Sequence, residues 1–529
     1  DELHYVQGAA AAAGASFVRP GAGPPASVYR RGFAGPGRTL LASAPGAAGA
    51  GAFAMLPFVA TPAEAAAVLA GEALRIERPP VVAIQFRGGP RPGVGGAEIV
   101  LHLTRMLDRS AHGAFLECRG EPLAALPMAE RIALASLAQG RLGVRACVLP
   151  SDDVTRAYLA ERGRDADWRR FDAGDGAAER TLELDLGRIA PAEPREACVR
   201  VGAEAEDDDL RLLAAAAARG ARLTGVEVVV GGRATRRALE EGGVLAALES
   251  AGADVRDDGE ARAQTPLDPG SLACADEAEV SAGRAKPISA PGLVASLGFA
   301  VPVPERESRR REGAELDPAE VLGPGDATGA FDRGTAPAPP ERPAPLEGSP
   351  RGLVLVHAAG DLPGERVLAW GPRAQARRGD PVALAALAFD GNVVPLAESF
   401  GRLRCAFAIA NGRWGEGARD EAVARALVAL GVRVVLARTF APGHARVLAV
   451  HGILPLAWRR DVDASRVESF DELELPGLGE APPGTRRLTV RSLTRGQAFD
   501  VDVVVSAAWL ELARAGGVLS AHANEAAGV

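Results

Sequence analysis

The stretch 405–456 constrains the fold most strongly, because its residue pattern changes element type several times over a short distance. Cys405–Ala410 is a short apolar run, which predicts a buried strand. Asp420–Leu430 carries apolar residues at helical spacing, Gly431 is a helix stop, and Val432–Ala437 is β-branched and apolar. A strand, a turn, a helix and a second strand form a βαβ unit, which predicts a parallel sheet.

The turn inside this unit, NGRWGEG, is rich in glycine and lies just before Arg419 and Asp420. Backbone N–H groups at a helix N-terminus attract anions, and a guanidinium beside them suits a carboxylate. Two interpretations stay open for Arg419 and Asp420. They help to bind a small carboxylate, or the segment is a plain tight turn in which they only cap and pair the helix end.

Composition narrows the class of protein. The chain has 529 residues, enough for several domains, and a formal net charge of −8, which does not suggest a nucleic-acid-binding surface. No apolar run approaches the roughly 20 residues that span a bilayer, so no membrane segment is predicted. The cysteines are scattered without any CxxC spacing, which is typical of reduced thiols in a cytoplasmic protein: Cys118, Cys147, Cys198, Cys274 and Cys405. The chain starts at Asp1 without a methionine, and whether a segment precedes it stays open.

Local patterns predict further elements before the βαβ unit. VVAIQFRG reads as a strand, Glu98–Leu107 as an amphipathic helix, and Asp153 as the cap of a helix over Val154–Leu159. The acidic run from Glu204 to Asp209 has two interpretations. It binds a hard cation, or, as is more usual, it is a solvated helix N-terminus where negative charge is favourable.

Histidines His444 and His451 stand seven residues apart, on one face if the segment is helical. A metal-binding pair is expected at closer spacing, as in HExxH. The pattern therefore favours a structural role for them.

The stretch GVRVVLARTFAPGHARVLAVHGILPL resembles the swivel-domain signature "G(V/A)RAVIAxSFxRIHxxNLxxxGxLPL" of the aconitase and isopropylmalate dehydratase superfamily. Near the N-terminus, GASFVRPGAGPPAS resembles "GxxFxxPGxGIxHQ" of the same family, and GVRACVLPSDDVTRAYLAERGR resembles "GATxGxFPxDxxTxxYLxxTGR". The resemblance runs from about Gly14 to the C-terminus, and the segment before it is shorter than is usual in the family.

This resemblance implies an aconitase-like multidomain α/β fold, with doubly wound α/β domains and a C-terminal swivel domain. It divides the chain into four segments. Residues 1–195 form an N-terminal α/β region with a truncated first domain, and residues 196–301 form the third α/β domain. Residues 302–350, rich in Pro, Glu and Arg, are a linker, and residues 351–529 are the swivel domain.

Family members dehydrate and rehydrate hydroxy-polycarboxylates on a 4Fe–4S cluster held by three thiolates. At the positions of those thiolates this sequence has Glu204, Glu260 and Ala263. The resemblance therefore implies that the cluster is lost, and neither a cofactor nor a metal is expected.

The family's catalytic groups are also replaced. The serine of the "GSSR" turn has no counterpart in GEGARDE, which offers Gly417 and Ala418, and the family's "DSH" reads Ala44, Pro45 and Gly46. A vestigial set that could bind a substrate or another small carboxylate persists: the polar residues Arg419, Asp420 and Arg284, with Gly417 of the glycine-rich turn.

Two functions follow from this pattern. The first is a non-catalytic pseudoenzyme that keeps the fold to bind a small carboxylate, a protein partner or an active paralogue, with no role for nucleic acid or membrane. The alternative is a cluster-independent hydro-lyase or isomerase that acts on a small hydroxy-carboxylic acid at the interdomain cleft. The first is favoured, because no new set of His, Cys or Ser replaces the lost groups.

Overall fold

A computed structural model divides the chain into two compact units, Asp1–Val59 with Ile76–Thr335 and Ala60–Arg75 with Ala336–Val529. We call them the N-terminal and C-terminal units. The short segment 60–75 thus groups with the C-terminal unit. The structure describes residues 2–43, 45–74, 76, 78–107, 111–172, 178–191, 199–257, 271–274, 285–301, 321–322, 342–369, 373–374, 377, 379–389, 405–415, 420–441 and 443–527. Most of the predicted linker 302–350 lies outside these ranges.

The first sheet of the N-terminal unit is parallel throughout. Its strands, in spatial order, are Ala146–Val148, Phe115–Arg119, Val81–Arg87 and Arg180–Asp185. Helices Gly96–Met106, Met128–Leu142 and Asp153–Glu161 accompany it. Strand Val81–Arg87 is central and largely buried, which explains its continuous apolar sequence. The strand and amphipathic helix predicted for this region are confirmed.

A second parallel sheet follows in the same unit. Its strands, in spatial order, are Asp254–Asp257, Val226–Val230, Val199–Val201, Ser271–Cys274 and Ala285–Pro287. The helices of this part are Asp207–Ala218, Arg233–Glu241, Val244–Ser250 and Ala290–Ser296. They pack on the sheet through a core of Val, Leu and Ala side chains, so this segment is a doubly wound α/β layer.

The start of the chain contributes shorter elements to the N-terminal unit. They are helices Glu2–Ala12 and Pro25–Gly32, the parallel pair Thr39–Ala42 and Leu56–Val59, the 3₁₀ helix Pro45–Phe53, and strand Phe17–Val18, which pairs antiparallel with Val321–Leu322. Shorter 3₁₀ helices are Glu121–Ala125, Asp165–Asp167 and Leu186–Arg188. The weakly periodic, Ala- and Gly-rich sequence of this region is thus ordered.

The C-terminal unit contains a closed barrel in its described part. The strands, in order around the barrel, are Arg351–Ala358, Ala406–Ala410, Val432–Ala437, Leu454–Trp458, Gln497–Val503, Arg487–Ser492 and Glu472–Glu474. The first four are mutually parallel and the remaining pairings are antiparallel. Beside the barrel, Arg413–Trp414 pairs in parallel with Thr439–Phe440.

Helices surround this barrel at Pro62–Leu69, Gly364–Val367, Pro381–Ala385, Asp420–Ala429, His444–Val450, Asp461–Ala464, Ala507–Arg514 and Val518–Ala527, with a 3₁₀ helix at Leu478–Glu480. The βαβ unit is confirmed, since strands Ala406–Ala410 and Val432–Ala437 are parallel neighbours on either side of helix Asp420–Ala429. Gly431 has a φ of 80°, a left-handed conformation that suits glycine and ends the helix.

One predicted helix cap is wrong by one residue. The side chain of Asp152, and not that of Asp153, accepts hydrogen bonds from the backbone of Val154 (2.9 Å) and Thr155 (3.4 Å). Asp153 is instead the first helical residue. Asp152 is also the ion-pair partner of the buried Arg131 at 2.6 Å, which explains why the cap lies there.

Among the described residues, none of the helices combines the length and apolarity required to cross a membrane.

Candidate functional site

The candidate site lies in the N-terminal unit, at the carboxyl ends of the parallel strands Val199–Val201 and Ser271–Cys274. The chain turns after the first of these strands, passes Glu204, and enters helix Asp207–Ala218. In open α/β sheets, ligands bind outside the carboxyl ends of the strands. Glu204, which occupies the position of the first cluster thiolate in the resemblance, is therefore placed where a functional side chain is expected.

The acidic run does begin a helix, as its sequence suggested. The backbone N–H of Glu206 donates to Asp209 Oδ2 at 3.1 Å, which is half of a capping box. The expectation that this helix start is solvated is wrong, since Glu206 and Asp209 are only 7% and 8% exposed. Basic and aromatic side chains from distant parts of the sequence cover it.

Arg30 is the central cation of this cover. Helix Pro25–Gly32 positions its guanidinium, which is 1% exposed and donates to Glu206 Oε1 (3.3 Å), to the carbonyl of Gly46 (3.2 Å) and to Ser27 Oγ (3.0 Å). Burial alone would lower the pKa of Arg30, but the carboxylates of Glu206 and Glu204 outweigh burial and raise the pKa. Arg30 therefore carries its positive charge at neutral pH.

The second oxygen of Glu206 is satisfied from the opposite side. Tyr158 donates its hydroxyl to Glu206 Oε2 at 3.0 Å, and Arg162 Nη2 lies 3.7 Å from the same oxygen. The Arg162 guanidinium lies 3.4 Å from the centroid of the Tyr158 ring, a cation–π contact. Burial raises the pKa of Tyr158, so its hydroxyl stays a neutral donor.

Glu204 packs against a glycine. A Cβ at position 46 would lie 2.7 Å from each carboxylate oxygen of Glu204, closer than non-bonded atoms approach. Gly46 is the last residue of the segment that replaces the family's "DSH" in the resemblance. The two positions that differ from the family pattern, 46 and 204, therefore constrain each other. The Glu204 carboxylate occupies the volume that a side chain at position 46 would need.

Two more carboxyl groups, Glu130 in the cavity wall and its neighbour Glu98, accept backbone hydrogen bonds. Glu130 accepts a hydrogen bond from the backbone of Gly96 (2.7 Å), and Glu98 accepts from the backbones of Gly95 (2.9 Å) and Ser289 (3.1 Å). Burial, together with the charges of Asp209 and Glu98, raises the pKa of Glu130 well above its usual range. Burial also raises the pKa of Asp209 to about 7.

These groups enclose a cavity of about 40 Å³, with Arg30, Glu204, Glu206, Glu130, Asp209 and Cys274 in its wall. A buried water needs roughly 10–15 Å³ of such volume, so the space suits a few waters. Chemically the arrangement is a buried network of paired charges with little room for a further molecule.

No described contact places the other predicted site residues at this cavity. Arg419, Gly417, Arg284, Glu260 and Ala263 lie outside the described residues. Asp420 is the first residue of helix Asp420–Ala429, as predicted, but its side chain is outside the described part.

The two histidines have structural surroundings. His444 is fully buried, and its ring lies where a Cβ on Gly415 would be, 2.4 Å from the nearest ring carbon. Burial lowers the pKa of His451 to about 4, so this ring is neutral at physiological pH. Within the described ranges, no group of three His, Cys, Asp or Glu side chains has a geometry that could hold a metal ion.

Sequence reasoning missed Arg30, Tyr158 and Arg162. One sequence signal was available for Arg30, because two adjacent arginines occur in the short segment PASVYRRG. The structure shows that both arginines are buried. Such a pair needs buried acceptors, and Arg31 finds Thr235 Oγ1 at 2.8 Å. Two of the acceptors, Glu206 for Arg30 and Thr235 for Arg31, are 176 and 204 residues away in sequence, so their identity could not be inferred.

The two parallel α/β layers and the barrel unit define a multidomain α/β protein of aconitase-like construction. Residues 3–191 match the model of the aconitase family (aconitate hydratase). The N-terminal part of the chain is thus similar to the aconitase family.

Similarity to individual relatives is limited to part of each protein. The chain is 33% identical over 119 residues to the 3-isopropylmalate dehydratase large subunit of Elusimicrobium minutum, which covers 22% of this chain and 28% of that protein. It is 30% identical over 197 residues to the 3-isopropylmalate dehydratase large subunit of Gloeobacter violaceus. This match covers 34% of this chain and 41% of that protein. The matches thus span less than half of these relatives.

A solved structure of 3-isopropylmalate dehydratase from Methanocaldococcus jannaschii aligns with 34% of this chain and 95% of its own, at 18% identity and a TM-score of 0.26.

Proposed function

We propose that this chain is a non-catalytic, binding member of the aconitase superfamily. The observation that carries the proposal is the environment of Glu204. Its carboxylate packs on Gly46 beside a buried Arg30–Glu206 pair, around a cavity of about 40 Å³. A fully satisfied network of this kind is rigid, and the small cavity beside it leaves little room for a substrate with several carboxylates.

The residues at this position do not fit the family's iron–sulfur cluster. Thiolates hold such clusters, and soft sulfur ligands are needed for their irons. Glu204 is a hard carboxylate next to a guanidinium, and the sequence offers Glu260 and Ala263 at the other two positions. Among the described residues of the cavity wall, Cys274 supplies the only thiol. No step of the proposed function therefore involves a cluster.

The alternative, a cluster-independent hydro-lyase or isomerase of a small hydroxy-carboxylic acid, has one observation in its favour. Buried carboxyl groups with raised pKa values, such as Glu130 and Asp209, are typical of acid–base catalysts. Two features count against it. Backbone N–H groups already bind both side chains, and the cavity is too small for such a substrate. We therefore place this alternative second.

The proposal includes a partner and a location. A preserved fold around a filled site is useful when another molecule recognises the fold, so we propose binding to a protein partner, such as an active paralogue, or to a small carboxylate. Buried free thiols such as Cys118 and Cys147 suit a cytoplasmic location.

The test is iron and acid-labile sulfide analysis of protein purified without oxygen, before and after reconstitution with ferrous iron and sulfide. Hydration of cis-aconitate and dehydration of 3-isopropylmalate are assayed on the same samples, with an active aconitase treated in parallel as the positive control. We expect a colourless protein without stoichiometric iron and without turnover.

A Cys274→Ser variant is the matched control for adventitious iron, and its iron content should equal that of the wild type. Stoichiometric iron with a brown colour would overturn the proposal. Turnover by the iron-free protein would instead establish the cluster-independent enzyme.

A further inference from the structure

The C-terminal unit contains a larger cavity, of about 300 Å³, that the cluster resemblance does not involve. Helices Pro62–Leu69 and Asp420–Ala429 contribute to its wall, together with the ends of neighbouring elements at His451 and Leu519. A volume of this size is at the lower end of the range for small-molecule sites. The question is therefore which chemistry the wall would accept.

Most of the wall is apolar. Its side chains include Pro62, Ala63, Ala66, Pro381, Val428 and Leu519. Pro62 and Ala66 are exposed, so the cavity is accessible from solvent on the side of helix Pro62–Leu69. A ligand with a largely apolar body would bury its surface here and gain the corresponding hydrophobic free energy.

The polar part of the wall is a carboxyl–imidazole pair. Glu421 Oε1 lies 3.8 Å from His451 Nε2, and the two side chains are 21% and 10% exposed. Glu421 Oε2 and His451 Nε2 are buried and make no hydrogen bond with any described residue. Buried polar atoms are nearly always hydrogen-bonded in folded proteins, so this pair has unused capacity at the edge of an apolar cavity.

The charges around the pair favour an uncharged ligand. Burial lowers the pKa of His451 to about 4, which makes the ring neutral, and burial raises the pKa of Glu421 to about 7. Arg425, one helical turn beyond Glu421, also lines the cavity and lowers the pKa of Glu421 in part, but its guanidinium already donates to the carbonyl of Gly379 (3.5 Å). A charged ligand would lose its hydration without a dedicated counter-ion.

We propose that this cavity binds an uncharged, largely apolar small molecule that carries one hydroxyl group, an alcohol or a phenol, with the hydroxyl at the Glu421–His451 pair. A hydroxyl both donates and accepts, so it can donate to the carboxyl oxygen and accept from the ring N–H. The proposal is independent of the function proposed above, because all the lining residues belong to the C-terminal unit.

The experiment uses the full chain and four ring-sized probes of matched shape: benzyl alcohol, toluene, benzoate and benzylamine. Binding is measured by ligand-observed saturation-transfer NMR and by titration at neutral pH. We expect benzyl alcohol to bind at least tenfold more tightly than each of the others. Absence of benzyl alcohol binding, equal binding of benzyl alcohol and toluene, or a preference for either charged probe would overturn the proposal.

Two variants locate the binding. Ala66→Phe places a ring at the exposed rim of the cavity and should abolish the benzyl alcohol signal. Leu69→Phe, on the same helix but outside the cavity wall and 87% exposed, is the matched control and should bind as the wild type does. Unchanged binding in Ala66→Phe would contradict the assignment.

Glu421→Leu tests the hydroxyl contact without altering the rim. The substitution removes both carboxyl oxygens and leaves an apolar side chain of similar size in their place. We expect benzyl alcohol and toluene to bind this variant within about twofold of each other. If the tenfold preference persists, the pair does not recognise the hydroxyl.

Discussion

Two cavities of this chain each have buried carboxyl groups and an arginine in their walls, yet they differ in volume and in how those groups are satisfied. Beside Glu204 the volume is about 40 Å³, and Glu206 is hydrogen-bonded by Arg30 and Tyr158. Beside Glu421 the volume is about 300 Å³, and Glu421 Oε2 makes no hydrogen bond with any described residue.

The difference shows that charge pairing and hydrogen bonding decide whether the polar groups of a cavity wall are already satisfied. A buried ion pair contributes little net stability relative to apolar packing, but removing one partner is costly. A single substitution in the network at Glu204 is therefore expected to destabilise the fold, which favours retention of the whole network. Glu421 Oε2 and His451 Nε2 have no such partner among the described residues, so a ligand could supply one.

The largest expected effect is that of removing the cation at the centre of the filled cavity. Arg30→Met would leave Glu206 buried without its guanidinium, and we expect a loss of about 3–5 kcal/mol in the free energy of unfolding. Urea denaturation measures the loss, and peptide-resolved hydrogen exchange should locate it in helix Asp207–Ala218. Arg87→Met is the control, because Arg87 and its partner Glu183 are 62% and 64% exposed and surface pairs contribute only about 0–1 kcal/mol. Equal losses in the two variants would refute the special role of the network.

The second effect concerns pH. Asp209 has a folded-state pKa of about 7, above the roughly 3.9 of an unfolded aspartate, so the folded chain retains a proton that the unfolded chain has lost between these values. Stability contributed by this group is therefore present below about pH 4 and is lost as the pH rises towards 7.

Asp209→Asn can still accept from the Glu206 backbone but holds no titrating proton. We expect the stability of the variant relative to the wild type to increase by about 3–4 kcal/mol as the pH rises from 4 to 8. Stability is measured by denaturation across that range. Parallel pH curves for the wild type and Asp209→Asn would contradict the prediction.

In the C-terminal unit the pH effect has the opposite sign. The pKa of His451 is lowered by burial to about 4, against roughly 6.5 in the unfolded chain, so the unfolded chain binds the additional proton as the pH falls. Stability from the neutral ring is present above about pH 6.5 and is lost towards pH 4. His451 faces Glu421 and Arg425.

His451→Gln should remove this dependence and flatten the curve by about 2–3 kcal/mol over pH 4–6.5. The measurement is the same denaturation series. A variant curve as steep as the wild type would mean that the ring is not the titrating group.

The fold could be predicted in detail where local pattern and topology agree. The helix Asp420–Ala429, Gly431 and strand Val432–Ala437 follow from spacing alone, since each is specified within a short window of sequence. The filled site could not be predicted this way. Arg30 and Glu206 are 176 residues apart, and no local signal connects a buried cation to a distant acceptor.

The acidic run illustrates the same limit. Its charges indicated a helix N-terminus, which is confirmed, and the usual rule for charged runs indicated solvation, which is wrong. Burial is decided by what other elements place above the helix, here Tyr158 and Arg162. The cavity beside Glu421 is likewise a consequence of how helix Pro62–Leu69 packs, which the sequence of the helix does not encode by itself.

The smallest effect tests whether Gly46 and Glu204 are coupled. Gly46→Ala would place a Cβ 2.7 Å from both oxygens of Glu204, and because the carboxylate ends a flexible side chain it can rotate away, so we expect a loss of only about 0.5–1 kcal/mol. Glu204→Ala removes the obstacle, so Gly46→Ala introduced into that variant should be neutral. The double-mutant cycle, measured by urea denaturation, should therefore give a coupling energy close to the whole cost of Gly46→Ala. A cycle with purely additive losses would mean that Glu204 does not occupy the space beside residue 46, and the closed cavity would then need a different explanation.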